Sequence, residues 1–290
     1  MIRPARIRSA ALAALALAAL ALAALAMAGT AAAQAGPSVA APARPAPAKR
    51  VVVIDAGHGG PRIGMQARMP GGQLFNEKDI TLGIALKLAD ALRQRGVEVV
   101  MTRTTDVDVE LEDRGRIANE HHGDLFISIH VNAPGSSEDH PAAVRGFETY
   151  FLAEAKTEDE RRVEAMENGV VRFETSATAP RNDPLSFIIN DMAQNEHLRE
   201  SSDLANTIEE YLGRSHPGPD RGVKQANFSV LRNAYMPAVL VETGYGTNAA
   251  DASWLSSESG QRALAASIAD ATMTYLKNYA RRVNTGAPQR

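Results

Sequence analysis

Three polar residues of the 290-residue chain stand where layered α/β proteins do chemistry. His58 follows the apolar run Val51-Val52-Val53-Ile54, inside Asp55-Ala56-Gly57-His58-Gly59-Gly60. His130 closes a second apolar run, in Ser128-Ile129-His130-Val131-Asn132. Glu242 closes a third, in Val239-Leu240-Val241-Glu242-Thr243-Gly244. Ligands of open α/β sheets bind in the crevice beyond the carboxyl ends of the strands, so all three face the same place. Singly, each has a plain structural reading: a turn, a hydrogen-bonded core histidine, a helix cap. Their coincidence at one edge points to a site.

Two histidines need a third ligand to hold zinc. Glu77, in Asn76-Glu77-Lys78-Asp79, opens the helix that follows the His58 loop, so its carboxylate faces the same crevice. Two imidazoles and a carboxylate are the protein ligands of a catalytic Zn2+ that leaves its fourth position to water. Bound zinc lowers the pKa of that water to about 7 and polarises a carbonyl. Glu242 is the separate carboxylate that takes the water's proton and passes it to a leaving amine. The reaction class is metal-assisted hydrolysis of an amide. Asp55 reads equally as a turn former and as a carboxylate hydrogen-bonded to a ligand histidine. His121, His122, His140, His197 and His216 lie in polar stretches or beside helices and read as structural. No Lys-Ser/Thr pair follows the glycines after His58, which argues against a nucleotide loop.

The elements that position these groups alternate. Val51–Ile54 reads as a strand buried on both faces. Ile80, Ile84, Leu88 and Leu92 mark a helix with one apolar stripe, ending near Gly96. Strands are expected at Val97–Met101, Leu125–Ile129, Arg145–Leu152, Ala226–Leu231 and Ala238–Val241, with helices at Asp113–His121 and Ser259–Tyr279. The pattern predicts a single α/β domain: a mostly parallel six-stranded sheet between helices.

Lys+Arg total 31 and Asp+Glu 34, for a net charge of -3, which gives no footing for a nucleic-acid partner. The N-terminus combines Arg3, Arg6 and Arg8, an Ala/Leu stretch from Ala10 to Ala28, and small residues at Ala31, Ala33 and Ala35. This is the pattern of a cleaved signal peptide over residues 1–35, leaving no membrane span. Residues 36–49 are a Pro/Ala-rich linker, 50–282 the catalytic domain and 283–290 a disordered tail. The chain has no cysteine, so an exported domain rests on its core alone.

The run Val53-Ile54-Asp55-Ala56-Gly57-His58-Gly59-Gly60 resembles the opening motif of the zinc-dependent N-acetylmuramoyl-L-alanine amidases of type 3. Further matches follow in order. They are Glu77-Lys78, Thr102-Arg103 with Asp106, Arg114 with Ala118-Asn119, Asp124 to Ala133, Gln225 to Leu231, and Met236 to Gly244. The resemblance covers roughly residues 50 to 280. It implies His58, Glu77 and His130 as zinc ligands and Glu242 as the catalytic carboxylate. It also implies the bond cut, the amide between the lactyl group of N-acetylmuramic acid and L-alanine of the peptidoglycan stem. Gram-negative members act in the periplasm at cell division, splitting septal wall. The loop from His58 to Glu77 is longer than the family's usual spacing.

Residues 153 to about 199 exceed what a crossover between strands requires. Composition alone reads them as a solvated helical decoration. They also resemble the regulatory segment of the division amidases, where a glutamate on a helix fills the water position on zinc. There an activator protein with a degenerate metallopeptidase-like domain pulls that helix away. Glu167, in Met166-Glu167-Asn168, is the best match for the blocking ligand, with Glu164 the alternative. The rival readings are a catalytically silent peptidoglycan-binding scaffold and a zinc peptidase cutting within the stem peptide.

Overall fold

The computed structural model describes residues 49–69, 71–134, 140–169 and 184–285, all within one unit, Ala48–Arg290. The expected signal peptide, nearly all of the linker and the last five residues lie outside the described residues. Eight strands and seven helices are described. The strands are β1 (Val51–Ala56), β2 (Gln66–Arg68), β3 (Leu74–Asn76), β4 (Glu98–Met101), β5 (Leu125–Asn132), β6 (Phe147–Leu152), β7 (Asp220–Ala226) and β8 (Ala238–Tyr245). The helices are α1 (Glu77–Gln94), α2 (Leu111–Glu120), α3 (Glu158–Asn168), α4 (Pro184–Leu212), α5 (Ser229–Arg232), α6 (Ala249–Ser256) and α7 (Glu258–Thr285).

Six strands form one sheet in the order β4-β1-β5-β8-β6-β7. All its pairs are parallel except β6 with β8. Successive residues of a strand point to opposite faces, and here both faces are covered. Val52 and Ile54 join one apolar layer with α1 (Ile84, Leu88), α4 (Leu204, Ile208) and α7 (Leu264, Ile268). Val53, Phe126 and Leu240 join the other, with Ala118 of α2, Val163 of α3 and Phe228 to Leu231 around α5. This is why β1, β5 and β8 read as unbroken apolar runs.

Two expectations need correction. The run from Ala226 to Leu231 is not a strand: β7 ends at Ala226, and Ser229–Arg232 is a helical turn. Phe228, Val230 and Leu231 are all buried in one cluster, and a short apolar run has no period that separates strand from helical turn. The true strand, Asp220–Ala226, is an edge strand of mostly half-buried polar residues, so it carries little apolar signal. At the C-terminus, α7 continues to Thr285, so residues 283–285 are helix rather than tail. The extra length between His58 and Glu77 folds into the small antiparallel pair β2–β3.

Candidate metal centre

The sheet register sets the site. β1, β5 and β8 run parallel, with Asp55 beside Ser128 and His130 beside Glu242. Their carboxyl ends therefore share one edge. Glu148 of the antiparallel β6 sits opposite Glu242 on the other side.

His58 leaves β1 with φ of 60°, a left-handed conformation that is uncommon for a side chain of its size. Two buried arginines hold the backbone there. Arg114 of α2 donates from Nη2 to the His58 carbonyl at 2.8 Å and from Nη1 to Asp55 Oδ1 at 2.7 Å. Arg103 donates to the carbonyls of Ala56, Gly57 and Lys78, each at 2.8 Å. Asp55 has its oxygens taken by Thr102 and Ser128, both at 2.6 Å, and by Arg114. Burial opposes its charge, but Arg114 and the two hydroxyls outweigh burial and hold the carboxyl below its usual range. Asp55 thus serves the His58 loop through Arg114, and the expected hydrogen bond to a ligand histidine is not the arrangement found.

Glu77 is the first residue of α1, where a carboxylate suits the helix dipole. Its Oε2 accepts from the Met65 N–H at 2.7 Å and its Oε1 from Val131 N–H at 2.9 Å. The loop in turn takes up the helix's unpaired donors, Glu77 N–H to Met65 O and Lys78 N–H to Ile63 O. The β2–β3 insertion is therefore part of what seats this carboxylate.

The side chains converge. Glu77 Oε1 lies 3.1 Å from His58 Nε2 and 3.0 Å from His130 Nδ1. A fourth group joins them from α3: Glu167 Oε2 is 3.4 Å from His58 Nε2 and 3.0 Å from His130 Nδ1. One ligand atom from each of the four lies within 4.8 Å of all the others. Glu164 instead accepts from the Asn227 N–H at 3.0 Å, so Glu167 is the acid of α3 that reaches the cluster.

Two buried carboxylates facing one another demand positive charge between them. Burial disfavours charge on His58, but Glu77 and Glu167 overcome it and raise its pKa to about 9. His130 is raised in the same way, against burial, with Glu167 the larger influence. The cluster draws in protons where a cation would serve, and His58 Nε2 and Glu167 Oε1 are buried without a hydrogen bond. Two imidazole nitrogens and two carboxylate oxygens at this spacing fit a four-coordinate zinc ion, with one protein ligand more than an open catalytic site has.

Glycines make the room. A Cβ on Gly57 would stand 2.5 Å from His130 Nε2, and one on Gly64 would stand 2.5 Å from Glu77 Oε2 and 2.6 Å from His58 Cδ2. Glu242 is fully buried, and neither of its oxygens has a hydrogen-bond partner. Burial first, then the Glu167 charge, push its pKa well above the usual carboxylate range. A cavity of about 750 Å³ opens beside the cluster, lined by His58, Arg62, Met65, Glu77, Met166 and Glu167. His216 lies apart: it accepts from the Gly218 N–H and donates to the Thr243 carbonyl, a neutral structural histidine whose pKa burial lowers.

Glu148 escaped the sequence reading, although a lone acid in the apolar strand Phe147–Leu152 is a visible signal. It is fully buried and accepts from Asn132 at 2.6 Å and Tyr150 at 2.9 Å. Arg221 and Lys224 of β7 pair with it as well.

The profile of the family described as N-acetylmuramoyl-L-alanine amidase, Amidase_3, matches residues 52–273. The N-acetylmuramoyl-L-alanine amidase AmiA of Escherichia coli is 30% identical over 227 residues, covering 78% of this chain and 76% of the relative. AmiC of Neisseria meningitidis is 35% identical, covering 78% of this chain and 52% of its own length. Among solved structures, the N-acetylmuramoyl-L-alanine amidase of Clostridium difficile 630 aligns with a TM-score of 0.58 at 29% identity, over 79% of this chain and 97% of that one.

Proposed function

Because the chain belongs to the N-acetylmuramoyl-L-alanine amidase family, we propose that it is a zinc-dependent peptidoglycan amidase blocked by its own helix α3. His58, Glu77 and His130 would hold the ion, and Glu167 would occupy the position left for water. Bound there, zinc would supply a Lewis acid and an acidified water. Glu242 would take up a proton from the attacking water and deliver it to the L-alanine nitrogen as the bond to the lactyl carbonyl breaks. Burial, the largest influence on Glu242, raises its carboxyl pKa whether or not Glu167 is in place, which suits a group that must both take and give a proton. The observation that carries the reading is the four-residue cluster, which joins two strand ends, the start of α1 and α3 at one point.

The N-terminal pattern supports export to the periplasm through a cleaved signal peptide, and the resemblance to the Gram-negative division amidases implies wall splitting between daughter cells. No helix among the described residues is long and apolar enough to cross a membrane. An activator protein that binds and withdraws α3 would switch the enzyme on, as the resemblance to the division amidases implies. Replacing Glu242 by Gln tests the chemistry. Hydrolysis should fall by about 10²- to 10⁴-fold, while zinc content, measured by atomic absorption, stays at the wild-type level. A variant that keeps its activity would remove Glu242 from the mechanism.

A further inference from the structure

Four acids of helix α3 contact the rest of the protein: Glu160 and Glu164 accept from the Gln225 and Asn227 N–H groups, Glu167 joins the histidine cluster, and Asp159 alone pairs with cations of β7. Asp159, near the helix start, accepts from Lys224 Nζ at 2.7 Å and lies 3.6 Å from Arg221 Nη2. These two cations of β7 share a second partner, Glu148, at 2.5 Å from Lys224 and 3.2 Å from Arg221. Glu148 is a permanent part of the sheet, fixed by Asn132, Tyr150 and Tyr245. Asp159 belongs to α3, so under the proposed autoinhibition it leaves the two cations when that helix is withdrawn. With the helix in place, Arg221 and Lys224 each face both Asp159 and Glu148. Arg162, the other charged partner of Asp159, belongs to α3 as well. Without the helix, Arg221 and Lys224 would face Glu148 alone, two cations against one carboxylate. They stand near the catalytic edge of the sheet, because Glu148 is the register partner of Glu242.

We infer that Arg221 and Lys224 form a carboxylate-binding subsite for the peptide part of the substrate, and that α3 imitates that substrate with Asp159 as it blocks the metal position with Glu167. The inference rests on the amidase reading and names the feature of the stem peptide that the enzyme reads. The spacing says which carboxylate. Asp159 and Glu167 are eight positions apart on one helix, about 12 Å at 1.5 Å per residue. An extended peptide covers that distance in roughly three to four residues. The carboxylate recognised is therefore carried about three or four residues beyond the cleaved amide.

The test uses two synthetic muramoyl peptides that differ at that distance from the amide, one bearing a free carboxylate and the other its neutral carboxamide. The zinc-loaded full chain carrying both Asp159→Ala and Glu167→Ala, which removes the two blocking carboxylates, is assayed on both. The carboxamide should lower kcat/KM roughly tenfold, mainly through KM, as loss of a charged hydrogen bond does. Adding Lys224→Gln should bring the two substrates within about twofold of each other, and Lys224→Arg should restore the preference. Should Lys224→Gln not fold, Arg221→Gln carries the same comparison. Equal hydrolysis of both peptides by the doubly substituted chain overturns the subsite and leaves the amidase reading standing. So does a preference that survives in Lys224→Gln and Arg221→Gln alike. Failure to cleave either peptide overturns the amidase reading and the subsite with it.

Discussion

His58, Glu77, His130 and Glu242 could be read from the sequence because each stands at a strand or helix boundary that a parallel sheet brings to one edge. What the sequence could not give is the room they need. Gly64 has a φ of 73°, and a methyl group there would press on both Glu77 and His58. Nothing in its local sequence separates it from an ordinary loop glycine. Gly64→Ala should therefore weaken zinc binding by about 10- to 100-fold, the range found when the support of a metal ligand is disturbed. Zinc titration by calorimetry reads this directly. Wild-type affinity in Gly64→Ala would mean that the loop yields without cost. Asp55 shows the opposite limit, since its type and place were legible but its partner was not. A buried carboxylate at a strand end can bond any donor in reach, and here the long-range contact with Arg114 decides.

At the scale of elements, α3 combines a strong start with polar anchors. Thr157 and Glu160 form a reciprocal capping box: Thr157 Oγ1 accepts from Glu160 N–H at 3.1 Å, and Glu160 Oε2 accepts from Thr157 N–H at 2.7 Å. Glu160 also accepts from the Gln225 N–H, and Asn168 bonds both Asn227 and Ser229. Its apolar contribution is small, centred on Val163 and Met166. A helix attached mainly by hydrogen bonds and ion pairs, with Val163 its one fully buried apolar residue, exposes little of the core if it is lifted. Thr157→Ala removes half of the capping box and should destabilise the helix by about 1 kcal/mol. Amide exchange in residues 158–168 should quicken and basal activity should rise, while the melting temperature changes little. Unchanged exchange would show that the anchors to β7 hold the helix without its cap. The charged start of α3 was plain in the sequence as Glu158-Asp159-Glu160. Its destination was not, because β7 carries Arg221 and Lys224 in a strand whose polar character hid it. Helix α1 was legible for the reason that α5 was not: a stripe sustained over several turns has a period, and four residues do not.

For the whole molecule, the alternation of strands and helices was enough to give a mostly parallel sheet covered on both faces, and the apolar layers on each side bear that out. The architecture puts three strand ends, one helix start and one inserted helix around a single buried cluster. The account rests on the claim that this cluster cleaves the muramoyl amide and that α3 restrains it. Mass spectrometry of peptidoglycan digested by the zinc-loaded wild-type chain, its Glu167→Ala variant and its Glu242→Gln variant tests both parts at once. The account predicts intact stem peptides with a free L-alanine amine together with peptide-free glycan. Release should be slow from the wild type, faster from Glu167→Ala and minimal from Glu242→Gln. Fragments cut inside the stem would make the protein a peptidase, and no release from any form with zinc bound would make it a silent wall-binding protein; either result contradicts the account.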